Sequence, residues 1–567
     1  MKFTADNKRL LVYFLLGWMI LNFIQAAFTG LFDDEALFWM YGQRPAWGYY
    51  EHPPMVGILI RAGYELFHNE FGVRFFFVIL NTLSFYLIAR LAGVSNPVLF
   101  VALIFTPLIA QVGGFIAAPD VALVFYTILF FMTYRKLLEN GSTFTAILWG
   151  IIMAAMIYSK YNGILVIIFT LISNLKLFKS KYFYIAALTG ILCMVPHILW
   201  SFRYDHPTVN YHLFERNFEQ FDFLTYFGGY FIGQIGIYGP LMGVIFFWAM
   251  VVFKPQDVFE KSLKFTAVGT MLFFMAYTFR GQVEPNWTVP AFVPIIIMAY
   301  KAAGEKVRIR RLAGPLAIIS IVFALGLRIY LIHDFLKLPR HILNLTELYG
   351  WKEWSKEIEK KAGGRPVLFL NSYQRASKYI FYTGRPAYSM DAFAGHRTQY
   401  FYWSDMEENL QGKDVMVVDF MPWRWLPERK AFIGSTGIIT YYGYWNNFRS
   451  YSQLGIKLKL KELRFPANAT ITMPVTIINP YHHAIKFGEN KFMDSWLVYH
   501  IHYKDKFAAE MVPSTNITSM IIKGAVQDTS IRFLTPFMPG KYYFCISVST
   551  GWVPPPRSMN YQLMEIY

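Results

Sequence analysis

The chain has 567 residues, 55% of them hydrophobic and 19% aromatic, with a mean hydropathy of +0.33. A soluble protein of this composition would expose large apolar patches, whereas a polytopic membrane protein requires them. The net charge of +17 would suit a nucleic-acid binder, but many of the basic residues sit in alternate short loops between apolar runs, so much of that charge is topology rather than a nucleic-acid footprint.

Apolar runs of spanning length recur from Leu10 to about Ile332. They predict eleven transmembrane helices, at roughly 10–30, 74–92, 97–114, 119–134, 144–158, 161–177, 183–200, 227–253, 263–279, 288–303 and 312–333. The fifth and sixth are short enough to be a re-entrant pair, which would preserve the parity of the later spans. The first run, with ten more after it, reads as a retained signal anchor rather than a cleaved peptide. Lys2, Lys8 and Arg9 precede it, and alternate loops carry Arg90, then Arg135 with Lys136, then Lys176, Lys179 and Lys181. The series continues with Lys254, Lys261 and Lys264, and ends at Lys301, Lys306, Arg308, Arg310 and Arg311. By the positive-inside rule that side is cytoplasmic, so eleven crossings put the C-terminal region outside.

The outer side carries a different chemistry. It holds DDEALFWMYGQRPAWGYYEHPPM from Asp33 and QVGGFIAAPD ending at Asp120. It also holds SKYNG with Lys160, the loop SFRYDHPTVNYHLFERNFEQFD, and RGQVEPNW with Arg280 and Glu284. Carboxylates, histidines and arginines at one face of an apolar bundle mark a functional site.

After His333 the pattern changes. WKEWSKEIEKKAGG reads as an amphipathic helix ended by glycines, PVLFLN and KDVMVVDF as buried strands, and SYQRASKYIFYTG as a helix. Together they predict an α/β module. From about 455, IKLKLKELRF, ATITMPVTIIN, SWLVYHIHY, TSIRFLTPF and KYYFCISVS alternate as strands and predict a β-sandwich. The expected domains are a membrane domain over 1–335, the α/β module over 336–452 and the sandwich over 453–567, the last two extracytoplasmic. Cys193 and Cys545 lie in unlike regions, so neither a disulfide nor a zinc-type spacing is indicated.

Asp34 and Glu35 directly after the first span, then YEHPP from Tyr50, resemble the polyprenyl-phosphate-sugar glycosyltransferases of family 39. These include the protein O-mannosyltransferases; the lipid A aminoarabinose transferases are related. The resemblance extends to APD at 118–120, SKYNG at 159–163 and EPNW at 284–287, then to YQRASKYIFYTGRP and GHRTQYFYW in the soluble part. It spans about residues 1–420. It implies the GT-C membrane fold and a polyprenyl-phosphate sugar donor. The acceptor would be a lipid, glycan or protein hydroxyl, or a phosphate, on the outer face of a bacterial inner membrane. A flippase for lipid-linked sugars is the competing class, but it would place polar groups at mid-span in broken helices.

Inverting transfer needs a carboxylate to take the acceptor proton and cations to meet the departing phosphate. Asp34 matches the family's catalytic Asp and is expected to be the base, with Asp33 a solvated neighbour. Glu35 and Asp120 are candidate catalytic carboxylates, although acids at helix starts also serve the helix dipole and caps. Lys160, Arg203, Arg280 and His52 are the candidate phosphate contacts, His52 standing where the lipid A aminoarabinose enzymes have lysine. Tyr49, Tyr50 and Glu284 are candidate acceptor or sugar contacts. Glu51, with His206 and His212, is a candidate site for a divalent metal.

Overall fold

The computed structural model describes residues 5–212, 222–335, 345–391, 397–421, 428–460, 462–487, 495–503, 506–511, 520–521, 524–550 and 562–567. Lys2 of the topology signal, part of the outer loop after His212, and the first two residues of GHRTQYFYW lie outside them. The described residues divide into two compact units, one ending at Leu348 and the other running from Tyr349 to the C-terminus.

The first unit is helical. Its opening elements are α1 (Ala5–Phe28), α2 (Asp33–Gln43), α3 (Met55–Tyr64) and α4 (Glu70–Ala92). Next come α5 (Pro97–Ile104), α6 (Leu108–Val112), α7 (Pro119–Glu139), α8 (Thr143–Ser159), α9 (Gly163–Ser173) and α10 (Lys181–Arg203). The short α11 (Pro207–Asn210) precedes α12 (Gly229–Ile237), α13 (Met242–Val252) and α14 (Val258–Tyr277). A 3₁₀ turn, Pro285–Ala291, leads into α15 (Phe292–Glu305), and α16 (Val307–Ile332) closes the bundle. Side-chain caps set several starts: Asn69 accepts from Gly72 at α4, Asn96 from Leu99 at α5, and Ser142 from Thr145 at α8.

All eleven expected segments are helical, but they are not eleven straight rods. Among the described residues, six helices are long and apolar enough to cross a membrane: α1, α4, α7, α10, the Pro285–Glu305 stretch and α16. A seventh is counted if Leu224–Ile237 and Met242–Val252, bent by 99°, form one span. The bend falls where Gly239 takes a φ of 96°, a conformation that side-chain-bearing residues resist. The segment at 97–114 is broken between α5 and α6, where Pro107 cannot donate to the helical ladder. Pro285–Glu305 is the central rod, 89% of its apolar window buried, whereas that of α10 is only 6% buried and lies at the rim. These helices make the chain a multi-pass membrane protein.

In the second unit α17 (Trp351–Ala362), α18 (Tyr373–Thr383) and α19 (Ser404–Glu408) accompany a five-stranded sheet. Its strands are β1 (Val367–Leu370), β2 (Ala387–Met390), β3 (Val415–Asp419), β4 (Lys430–Ile433) and β5 (Ile439–Trp445), in the order β2-β1-β3-β5-β4. The first three are parallel, and β5 joins antiparallel to both β3 and β4. The remaining strands are β6 (Gly455–Leu458), β7 (Leu463–Phe465), β8 (Thr470–Ile478), β9 (Ile485–Lys486) and β10 (Ser495–Tyr503). They continue as β11 (Lys506–Met511), β12 (Met520–Ile521), β13 (Val526–Leu534), β14 (Gly540–Thr550) and β15 (Gln562–Ile566). They form sheets β11-β10-β14-β15-β7 and β13-β8-β6 plus the pair β12-β9, around a core that includes Met473, Val475, Ile531 and Phe544.

Candidate active site

Helix α2 starts almost at once after α1, so its first turn, Asp33, Asp34 and Glu35, falls at the end of the first span. Acidic residues in a first turn complement the helix dipole. The three then diverge. Asp34 is exposed and lines a cavity of about 640 Å³. Asp33 donates its backbone N–H to Glu347 Oε2 at 3.1 Å, and Glu347 lines the same cavity.

Glu35 points inward and is 2% exposed. Its carboxylate receives Arg74 Nε at 2.8 Å and Nη2 at 2.5 Å, the Phe32 N–H at 3.0 Å and the Ala117 N–H at 2.8 Å. Arg74 is fully buried and also donates to the carbonyls of Ala26, Thr29 and Gly30. The pair therefore joins the end of α1, the start of α2, the first turns of α4 and the segment leading into APD. Glu35 holds its neighbour Asp34 and, through Ala117, the approach to Asp120.

Asp120 opens α7 behind Pro119, and Lys160 is the C-terminal cap residue of α8. Lys160 Nζ lies 2.7 Å from Asp120 Oδ1, and Asn286 Nδ2 donates to Asp120 Oδ2 at 3.2 Å. The pair is nearly dry, the side chains 9% and 15% exposed. Asn286 comes from the strap at Pro285–Ala291, which is latched from two sides. Gln234 donates to Pro285 O at 3.2 Å and accepts from Thr288 Oγ1 at 2.6 Å, while Asn162 Nδ2 donates to Trp287 O at 3.1 Å.

One cavity thus gathers Asp34, Glu35, His52, Asp120, Lys160, Asn286 and Glu347 at its polar end. It continues between Phe85, Val124, Ile237 and Phe292, reaching Ser84 on α4. Ser84 lies ten residues, about 15 Å along α4, from Arg74, which meets Glu35. His52 stands on the wall with its ring edge-on to Phe38, centroids 5.2 Å apart.

The other sequence candidates do not line this cavity. Tyr49 is 1% exposed, its ring stacked on Tyr41 at 3.8 Å and its hydroxyl donating to Tyr41 O at 2.8 Å. Tyr50 is equally buried, 4.8 Å from the Tyr211 ring. Tyr50 packs within the loop, and Tyr49 lies outside this cavity. Arg203 and Arg280 are exposed, Arg203 lying 5.9 Å over Tyr204. Glu284 is half-buried at the start of the strap. His206 Nδ1 is 3.1 Å from Ser201 Oγ, and His212 Nε2 is 3.3 Å from the backbone oxygen of Glu51 rather than its carboxylate. Among the described residues no three His, Cys, Asp or Glu side chains gather in a way that would hold a metal ion, so Glu51, His206 and His212 do not form the expected site. Burial, with the Glu51 carboxylate, Tyr49, the Asp34 carboxylate and Tyr161 adding to it, pushes the Tyr41 phenol well above its ordinary range. Tyr41 therefore lies within electrostatic reach of both acidic ends of the opening motif.

Sequence reasoning passed over Arg74, Asn286 and Glu347. Asn286 lies inside the EPNW motif, but a single asparagine has no spacing that sets it apart.

Residues 51–200 match the family model for dolichyl-phosphate-mannose-protein mannosyltransferase. A lipid A galacturonosyltransferase, RgtD of Rhizobium johnstonii, is 23% identical over 305 residues, covering 50% of this chain. The match spans 63% of that relative, less than two thirds of its length. The solved structures of ArnT from Cupriavidus metallidurans, apo and bound to undecaprenyl phosphate, superpose with a TM-score of 0.58 at 13% identity. They cover 77% of this chain and 98% of theirs, and share its fold. By sequence and by fold, the chain resembles the polyprenyl-phosphate-sugar glycosyltransferases of the GT-C type.

Proposed function

We propose that the chain is an inverting glycosyltransferase that moves a sugar from a polyprenyl phosphate to a lipid acceptor at the outer face of a bacterial inner membrane. The observation that carries this reading is the single cavity that sets Asp34 with the Asp120–Lys160–Asn286 cluster at its polar end and then runs deep between apolar helices. A polyprenyl chain fits the apolar depth and its phosphate fits Lys160. RgtD is named for lipid A, and ArnT was solved with undecaprenyl phosphate; both names favour a lipid-linked donor and a lipid acceptor.

The acceptor oxygen attacks the anomeric carbon on the face opposite the phosphate. The new C–O bond forms as the C1–O–phosphate bond breaks, and the acceptor proton passes to the Asp34 carboxylate. The departing phosphate gains charge and is met by Lys160. At rest Asp120 balances that ammonium, which would otherwise be costly to bury. Asp120 and Asn286 are thus positioning residues for the cation, and Glu35 with Arg74 positions the base. His52, on the same wall, is placed to donate to the sugar or phosphate. The basic-loop pattern supports a periplasmic position for Asp34 and for the C-terminal region.

The test is reconstitution in proteoliposomes with a radiolabelled polyprenyl-phosphate sugar and a lipid acceptor. Transfer of label to the acceptor is expected. Movement of intact donor between leaflets without transfer would contradict the assignment and favour a flippase.

A further inference from the structure

A second cavity, of about 580 Å³, lies between α2, the loop after it and α3. Its volume falls within the roughly 300–1,000 Å³ of small-ligand sites. We infer that this slot holds the acyl end of the acceptor lipid, with Arg61 at its rim meeting an acceptor phosphate; the inference rests on the glycosyltransferase reading above.

The slot exists because α2 and α3 cross through two glycines. A Cβ at Gly42 would sit 2.9 Å from Gly57 O, and one at Gly57 would sit 2.8 Å from the Tyr41 Cβ. The helices touch backbone to backbone there, leaving space beside the crossing. The mouth is apolar and open: Trp47 is 56% and Ile58 53% exposed. The apolar surface continues at the end of α3 through Leu66 and Phe67, both exposed. That continuity gives a membrane lipid a path into the slot without leaving apolar surroundings.

Arg61 lies on the slot wall, 51% exposed. Its contact with Glu65 is long, 3.8 Å from Nε to Oε1. An exposed ion pair of this kind contributes little, so a phosphate that offers two oxygens to the guanidinium can replace it.

The slot is separate from the donor cavity, because the stacked Tyr41–Tyr49 pair lines it while Phe38 and Asp34 line the other. Asp34 and Gly42 are eight residues apart on α2, about 12 Å along its axis. A lipid with a sugar-phosphate headgroup spans that interval: acyl chain in the slot, phosphate at Arg61, reacting oxygen at Asp34. A short acceptor without an acyl chain would gain nothing from the slot.

The full-length enzyme in phosphatidylcholine nanodiscs tests this with lipid A as the acceptor probe. Ala62→Phe fills the slot from an exposed position of α3. It should raise the acceptor KM by about tenfold or more while leaving the donor KM, and slow donor hydrolysis by water, within about twofold. Arg61→Glu should act likewise and Arg61→Lys should recover part of the loss. Lipid A carrying a diazirine in its acyl chain should label peptides from residues 41–65, and less so in Ala62→Phe. An unchanged acceptor KM in Ala62→Phe, or equal labelling by diazirine phosphatidylcholine, would overturn the subsite and reduce the slot to bulk lipid contact. If Asp34→Asn abolishes transfer while Ala62→Phe behaves as wild type, only the subsite fails. If Asp34→Asn transfers normally, the glycosyltransferase assignment of that residue fails independently.

Discussion

Replacing Arg74 by Met should be among the most damaging single changes in the first unit. The guanidinium is fully buried and makes five hydrogen bonds: two to Glu35 and one each to the carbonyls of Ala26, Thr29 and Gly30. Its removal leaves a carboxylate with 2% exposure facing an apolar side chain. Breaking a buried pair from one side costs about 3–5 kcal/mol, because the surviving charge stays buried. For a helical unit of this size that corresponds to a fall in Tm on the order of 5–10 °C. Adding Glu35→Gln removes the stranded charge, so the double variant should recover part of the loss, with a coupling of at least about 1 kcal/mol. The assay is thermal unfolding in detergent at one fixed scan rate, since membrane proteins of this kind unfold irreversibly. A Tm for Arg74→Met within a degree or so of wild type would refute the argument, as would a double variant equal to the sum of the singles.

Lys160→Met should lower kcat/KM for the donor by about 100-fold or more, and Asp120→Asn by less, because it loosens the ammonium rather than removing it; donor titrations under single-turnover conditions check both. In the second unit Glu407 is fully buried and accepts from Ser450 Oγ, from the Ser452 N–H and Oγ, and from Tyr481 OH. Burial nevertheless raises its pKa above the ordinary carboxylate value, so the folded state binds the more protons. Its contribution to stability is then present in full below the unfolded pKa of about 4.3 and is lost as pH rises through the folded value. Glu407→Gln should flatten that part of the pH–Tm curve of the full chain, and an unchanged slope would show that another group is responsible.

The helices were legible because membrane-length apolar runs leave few alternatives, but the 97–114 run reads as one span and is broken at Pro107. The bend at Gly239 was not legible, since one glycine among apolar residues has no distinctive pattern. Asp34 was singled out by the resemblance of its Asp-Glu pair after the first span to family 39, and it lines the cavity. The pairing of Asp120 with Lys160 and Asn286 was not legible, because the contacts bridge 40 and 166 residues of chain. Only the common face of the three motifs could be read. Arg74 carried no signal in the sequence, and the fold alone shows that Glu35 meets it. Arg328 is similar: it sits inside α16, yet it is 3% exposed and donates to Gln111 and Asn22, holding α6 against the cavity. Tyr49 and Tyr50 do not line the donor cavity. Interfacial tyrosines suggested sugar stacking, and packing against Tyr41 and Tyr211 covered them.

The central claim is that Asp34 takes the acceptor proton in the cavity it shares with Lys160. The most direct test is the single-turnover rate of sugar transfer from a polyprenyl-phosphate donor to lipid A at saturating donor, for wild type and Asp34→Asn. The account predicts a fall of about 100- to 10,000-fold, the range for losing a general base, with donor affinity and Tm unchanged. Transfer by Asp34→Asn at the wild-type rate would contradict it.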